Sequence, residues 1–328
     1  MGASGIVTSS ILTPLATLSS ASNRWKFVFI GSFVATVNMV MFVAASRDQI
    51  LLSPSIASPL AYTIGGFCVG IGTKIGNGCT SGHGVCGLGR LSPRSFISVL
   101  SFLASGILTA TFISSPNTPW ASSTAFLRQQ GTDVSTSSLF SLAILLASGG
   151  MAVLSNVTND DSTAESNILA NKKKSYGAAI SGVLFAIGLA ISGMSQTSKV
   201  QGFLDLNPLF HSNISVSSYD PTLLTVLGAA VPISAIGYLW QRYFMKHSTW
   251  CGADWSCIPK RTDIDPPLVV GSVLFGVGWG LVGLCPGPGV WSAAAGVVDI
   301  VYTWFPAFLL GSFVGKQILD SPYKPKTS

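Results

Sequence analysis

In this chain of 328 residues, 48% are hydrophobic and only 9% are charged, with a mean hydropathy of +0.55. A soluble domain carries about a quarter charged residues, so the composition excludes a soluble enzyme and points to an integral membrane protein. The net charge of +6 is spread over basic residues between apolar stretches, as in positive-inside loops, and does not form a patch that would grip nucleic acid.

The first 23 residues lack a basic start and a clean apolar core, so no cleavable signal peptide is read there. Residues 6–18 are apolar but too short to cross a bilayer. Spans of about 20 apolar residues are predicted at 27–45, 56–75, 95–113, 139–154, 176–193, 221–240, 268–284 and 301–319. The short pieces after Cys79 and Cys285 are candidate half-helices, tolerated only where protein or a cavity covers their backbone. The longest polar interruption, 156–175, holds Asp160, Asp161, Glu165 and the run Lys172-Lys-Lys174. It reads as a linker between a first half, 1–155, and a second half, 176–320, followed by a tail, 321–328. The predicted spans 95–113 and 139–154 form a hairpin, so Arg90, Arg94 and the lysine run share one side, the cytoplasmic one by charge. The connection 114–138, with Arg128 and Asp133, then faces out. The lysine run itself reads as a solvated loop rather than a lipid-headgroup site.

Two stretches echo one another. Gly70-Ile-Gly-Thr-Lys-Ile-Gly-Asn-Gly-Cys-Thr-Ser-Gly-His-Gly-Val-Cys-Gly-Leu-Gly-Arg90 pairs with Gly276-Val-Gly-Trp-Gly-Leu-Val-Gly-Leu-Cys-Pro-Gly-Pro-Gly289. Aligning Gly70 with Gly276 matches Gly65 with Gly271, Gly72 with Gly278 and Cys79 with Cys285 without a gap. In a membrane protein this marks an internal repeat whose broken helices meet at a central site. The fold class expected is therefore all-α and integral to the membrane: two pseudo-symmetric halves with half-helices meeting at one pathway. In the second half the predicted span 176–193 runs into Ser192-Gly193-Met194. The first half opens on the matching Ser4-Gly5-Ile6 with almost nothing before it. The first half therefore lacks its opening span, which places the true start upstream of Met1 or leaves this copy one helix short.

Glycines at 76, 78, 82, 84, 87 and 89 disfavour a regular helix and let backbone N–H groups line a cavity, an anion site that needs no buried cation. Gly78, Thr80, Ser81, Lys74 and His83 add space, hydroxyls and positive charge or donors, and Cys79 adds a soft sulfur with a weak S–H donor. Around Cys285 the residues are apolar: Gly283, Pro286 and Gly287 belong to the same break, and Pro286 and Pro288 cannot donate. The pair reads as one narrow pathway gated by two thiols. Cys86 reads equally as pathway or packing, and His83 equally as pore donor or satisfied contact. Lys74 snorkels to the interface or serves the site. Cys68, without a repeat mate because position 274 is Leu, reads as packing. Cys251 and Cys257 lie in a polar loop and would pair if it were extracellular. Cys79, His83 and Cys86 have ligand-like spacing, but a structural zinc site needs four partners. No metal or other cofactor is therefore expected.

The stretch Gly76-Asn-Gly-Cys-Thr-Ser-Gly-His-Gly-Val-Cys-Gly-Leu-Gly-Arg-Leu-Ser-Pro-Arg-Ser95 resembles the signature of the YeeE/YedE family of sulphur-transport membrane proteins. Gly278–Gly289, Ile191-Ser-Gly-Met-Ser195 and Lys199-Val-Gln-Gly-Phe-Leu-Asp205 resemble its other motifs. The resemblance runs from Gly2 to about Gly315. It implies thiosulfate uptake through an hourglass-shaped protein of two pseudo-symmetric halves, with constriction cysteines handing the anion along by S–H···S contacts. By motif, Cys79 and Cys285 inherit that role. Bacterial members carry a further cysteine at the early Gly-x-Ser-Gly turn, where this chain has Gly2-Ala-Ser-Gly-Ile-Val. A three-thiol relay is thereby reduced to two thiols plus Cys86. The long linker resembles that of eukaryotic, especially fungal, members.

The function expected is uptake of thiosulfate or a related small sulfur anion, without enzymatic chemistry, in a multi-pass protein of the plasma membrane. Its partners would be that anion, the surrounding lipid and a cytosolic sulfur-accepting protein. The competing reading is a membrane thiol enzyme or persulfide carrier with Cys79 as nucleophile, its pKa lowered by Lys74 and His83. A purely structural or regulatory subunit ranks below both, since no polar loop resembles a docking module.

Overall fold

The computed structural model describes residues 2–20, 23–45, 57–112, 165–206, 219–244 and 263–320, and every described element is helical. The predicted span 139–154, the connection 114–138, Asp160, Asp161, Cys251, Cys257 and the tail lie outside the described residues.

The chain begins with two short helices, α1 (Ala3–Leu12) and α2 (Pro14–Ser19), and the first long one, α3 (Trp25–Ala45). There follow α4 (Pro59–Ile75), a π-helical segment π1 (Thr80–Gly87) and α5 (Pro93–Phe112). The second part holds α6 (Glu165–Ile191), the short α7 (Thr197–Leu204), α8 (Thr222–Phe244) and α9 (Pro266–Val282). It closes with the short α10 (Pro286–Ala294), a second π-helical turn π2 (Ile300–Trp304) and α11 (Phe305–Asp320). Prolines set several starts: Pro59, Pro266 and Pro286 each occupy a first-turn position, where a missing N–H costs nothing. The Ser58 hydroxyl caps α4 by accepting from Ala61 N–H at 3.2 Å. Residues 25–44, 93–112, 171–191 and 222–240 are long and apolar enough to cross a membrane, and α9 with α10, bent by 40° at their break, forms a broken span or a re-entrant loop. The protein is an integral, multi-pass, all-α membrane protein. One boundary differs from expectation. The helix through Tyr176 begins at Glu165, so Lys172–Lys174 lie on helix rather than in a loop.

At the centre, α4 and α9 cross antiparallel through glycines. A Cβ on Gly65 would stand 3.2 Å from Gly278 O, and one on Gly72 2.7 Å from Gly271 O. Adding 206 to the first-repeat numbers, and subtracting it from the second, exchanges these two contacts. The same operation relates Gly70 against Phe308 to Gly276 against Phe102, and Gly66 against Trp304 to the buried Ser98–Ser272 hydrogen bond of 2.7 Å. Each half therefore lays its glycine-lined helix against a repeat-equivalent helix of the other: α11 on α4, α5 on α9. Without hydrophobic drive between helices in lipid, close backbone approach through small residues is what holds such a bundle.

These pairings fix the two ends. At one end sit the close of α4, the starts of α5 and α9, and the close of α11. Arg94 there reaches Asp265 at 2.8 Å and also donates to the Asp263 carbonyl, while Gly315 lies against Lys74. On the outside, α6 packs on α3, with Phe185 against Phe29 and Phe33 at ring-centroid distances of 6.2 and 5.7 Å.

Candidate functional site

Three helix N-termini converge where the repeats break. Cys79 is the residue before π1 and Cys285 the residue before α10; both are extended, with φ −136° and −115°. Gly2, also extended, precedes α1. Ala3 N–H donates to Ser81 Oγ at 3.1 Å, and Ser81 Oγ lies 3.2 Å from Cys79 Sγ. Thr80 Oγ1 donates to Cys285 Sγ at 3.5 Å, joining the repeats through 205 residues of chain. A Cβ on Gly2 would stand 2.9 Å from Gly82 N and 3.2 Å from Cys79 Sγ, so glycine is what lets α1 reach the thiol. Cys79 is 2% exposed and Cys285 is half-buried.

Each helix start leaves unpaired N–H groups and a positive dipole end. Three such ends thus lie against one another beside two hydroxyls and two thiols, with the Ala3 N–H taken by Ser81; helix starts of this kind favour an anion. The prolines thin the donors on one side. Pro286 and Pro288 have none, and the Gly287 N–H points at the Cys285 sulfur. Gly283, which ends α9 in the left-handed region (φ 66°), turns the chain back toward the centre. A Cβ there would stand 2.6 Å from Thr197 O at the start of α7.

The other predicted residues separate into different roles. His83 is 8% exposed and faces the scaffold. Its Nε2 lies 3.0 Å from Gly76 O and its Nδ1 3.1 Å from Ser95 Oγ. A carbonyl only accepts, so Nε2 carries the proton and Nδ1 accepts from the Ser95 hydroxyl. The imidazole therefore clamps the end of α4 to the start of α5, with the Cys79 loop between them. Gly78 and Gly87 make room: a Cβ would meet His83 Cδ2 at 2.4 Å or Ser95 Oγ at 2.2 Å. Cys86 points to α8, where it meets Tyr238, over whose ring Arg90 sits at 5.9 Å. Lys74 is grouped with Lys26, Lys316 and Asp320. Cys68 packs between α4 and α9, its Cβ 2.9 Å from where a Gly278 Cβ would be.

Sequence reasoning missed two parts of this arrangement. The approach of Gly2 and Ala3 to Cys79 had one signal, the Ser4-Gly5 match to Ser192-Gly193 that marked α1 as repeat-related. Ser95 as partner of His83 had none, since the two are 12 residues apart with a turn between.

Residues 9–109 match the sulphur-transport family, and residues 175–319 match a family of unknown function. A "Probable transporter" of Xylella fastidiosa strain Temecula1 is 35% identical over 124 residues, covering 38% of this chain and 76% of the relative. A "Probable transporter" of strain 9a5c is 36% identical over 124 residues, covering 77% of the relative. Another from Temecula1 is 54% identical over 50 residues, 15% of this chain and 37% of that protein. No solved structure matches. With its glycine-crossed helices, its two thiols at the helix breaks and these relatives, the chain belongs to the YeeE/YedE-type family of sulphur-transport membrane proteins.

Proposed function

We propose that this protein carries thiosulfate, or a closely related small sulfur anion, across the membrane through the constriction between Cys79 and Cys285. The observation that carries the reading is the meeting of both repeat-equivalent thiols with three helix N-termini and the hydroxyls of Thr80 and Ser81. A dianion entering the membrane loses its hydration and must find aimed donors in exchange. Helix-terminal N–H groups and hydroxyls serve the sulfonate oxygens. The S–H groups, weak and polarisable, serve the terminal sulfur. Because no ammonium or guanidinium of the described residues stands among these donors, the anion is held by dipoles and is free to leave, as conduction requires.

The covalent alternative, with Cys79 as nucleophile, needs a base or a cation beside the sulfur. His83 has both ring nitrogens engaged by Gly76 and Ser95, and Lys74 keeps company with other lysines. Passage without a covalent intermediate is therefore the better supported reading.

The test is growth of a bacterium unable to take up sulfate or thiosulfate, supplied with thiosulfate as sole sulfur source. The native chain restores growth, whereas Cys79→Ala and Cys285→Ala, at equal abundance in the membrane, do not. Undiminished growth with both variants would sink the thiol pathway. A persulfide or other adduct on Cys79, detected by mass spectrometry after exposure to thiosulfate, would favour the covalent alternative.

A further inference from the structure

We infer that Phe185 and Trp304 are positioning residues for Cys285: their ring edges grip the first turn of α10 at Gly287 and Gly289 and hold the thiol at the constriction. The inference deepens the transport reading above and rests on it for the effect on uptake.

The two half-helix starts are anchored by different means. The offset of 206 that pairs Cys79 with Cys285 also pairs Ser81 with Gly287 and His83 with Gly289. In the first repeat these positions carry polar side chains. Ser81 Oγ accepts from Ala3 N–H at 3.1 Å and lies 3.2 Å from Cys79 Sγ, and His83 bridges Gly76 O and Ser95 Oγ. In the second repeat both positions are glycine, alternating with Pro286 and Pro288. The first turn of α10 therefore has no polar side chain with which to tie itself down.

Aromatic rings from two other elements arrive at those two points. A Cβ on Gly287 would stand 3.1 Å from Phe185 Cζ and 3.2 Å from its Cε1, so a ring edge from α6 lies on the backbone there. A Cβ on Gly289 would stand 2.6 Å from Trp304 Cη2, at the far edge of the indole. Both rings are themselves fixed. Trp304 is fully buried and stacks on Phe308 with a centroid distance of 5.1 Å and an interplanar angle of 4°. Its carbonyl carbon lies 3.1 Å from where a Gly66 Cβ would be, so α4 backs it. Phe185 rests on Phe29 and Phe33 of α3. Gly289 N–H donates to the Cys285 carbonyl at 2.8 Å, so what holds Gly289 also holds Cys285.

The choice of tryptophan points the same way. Its indole N–H is buried and has no partner among the described residues, a cost that phenylalanine would avoid. What phenylalanine lacks is the fused ring, and the fused-ring atoms Cζ3 and Cη2 are those that reach Gly289. The repeat mate of Trp304 is Ser98, which bonds instead to Ser272 on α9 and leaves π1 to His83. Where lipid gives no hydrophobic drive between helices, van der Waals fit of this kind is what seats a short one.

The experiment uses the full chain, purified in detergent and reconstituted into lipid vesicles. Alkylation of each cysteine by a membrane-permeant maleimide is followed by peptide mass spectrometry, and thiosulfate uptake is followed against concentration. In Trp304→Ala and in Phe185→Ala, alkylation of Cys285 should quicken roughly tenfold while Cys68 and Cys79 stay within about twofold, the mark of a local opening. The maximal uptake rate should fall roughly tenfold and the half-saturating concentration move less than about twofold, because the donors around Cys79 are untouched. Gly289→Ala, which drives a methyl into the indole edge, should slow uptake by a similar factor. Combining it with Trp304→Phe, whose shorter ring makes room, should bring uptake back to within about threefold of native. Equal quickening at all three cysteines, or none at Cys285, overturns the inference. So does a double variant no better than Gly289→Ala, which decides the matter even if Trp304→Ala fails to reach the membrane. Native vesicles that take up no thiosulfate would sink the transport reading instead, and the alkylation pattern would still decide what holds Cys285.

Discussion

The clamp made by His83 can be tested by taking it apart one hydrogen bond at a time. Ser95→Ala removes the hydroxyl that donates to Nδ1 and leaves a buried acceptor unpaired, a loss of about 1–2 kcal/mol. His83→Ala removes both bonds, strands the Gly76 carbonyl and empties the ring's volume, a loss of about 3–4 kcal/mol when a cavity term is added to the two bonds. If the ring is the single link between Gly76 and Ser95, then with His83 gone the Ser95 hydroxyl has nothing left to hold. The double variant should be no less stable than His83→Ala alone, and the coupling should equal the whole Ser95→Ala loss, about 1–2 kcal/mol. The assay is equilibrium unfolding of the purified protein in mixed micelles, with the alkylation rate of Cys79 by a membrane-permeant maleimide as the local readout. Alkylation should quicken in His83→Ala and in Ser95→Ala, because Cys79 is 2% exposed only while its loop is tied at both ends. Losses that simply add, to within about 0.5 kcal/mol, would show that His83 and Ser95 do not act as one clamp.

Two further outcomes follow from the geometry. Gly70→Ala places a methyl 2.2 Å from Phe308 O and 2.8 Å from Ser312 N, both backbone atoms that cannot yield. The α4–α11 seam should part and the protein should elute from size exclusion as aggregate, whereas a monodisperse, active Gly70→Ala would contradict the crossing described. Cys86→Ala should retain thiosulfate-dependent growth, because its thiol meets Tyr238 on α8 rather than the constriction. Loss of growth at normal abundance would return Cys86 to the pathway.

Why some of this was legible in the sequence and some was not follows from the kind of residue involved. Glycine reports its own reason for being there. At Gly72, Gly271 and Gly278 a side chain is forbidden by the backbone opposite, and at Gly65 by the Val282 side chain, so the constraint is printed in the chain as a spaced pattern. Alignment of that pattern located the helix breaks and both thiols. The broken span after α9 was equally visible, since Pro286 and Pro288 remove donors that a continuous helix would need. The π-helical form of π1 was not visible. Glycine content argues against a regular helix but does not choose among the irregular ones.

Charged and polar residues are harder to read because their meaning depends on partners distant in the chain. Next to the motif, Lys74 and His83 looked alike: one ionisable group on either side of Cys79. In the fold they part, His83 turning inward to Gly76 and Ser95 and Lys74 outward to Lys26 and Lys316. Neither stands at the thiols, and the physics of release explains why. A fixed ammonium in the constriction would bind a dianion tightly enough to trap it, whereas dipoles hold it weakly enough to pass it on. The repeat therefore sets neutral donors at the thiols and the lysines away from them. For that reason the glycines and cysteines carry the legible signal, and the lysines acquire meaning only once the helices are assembled.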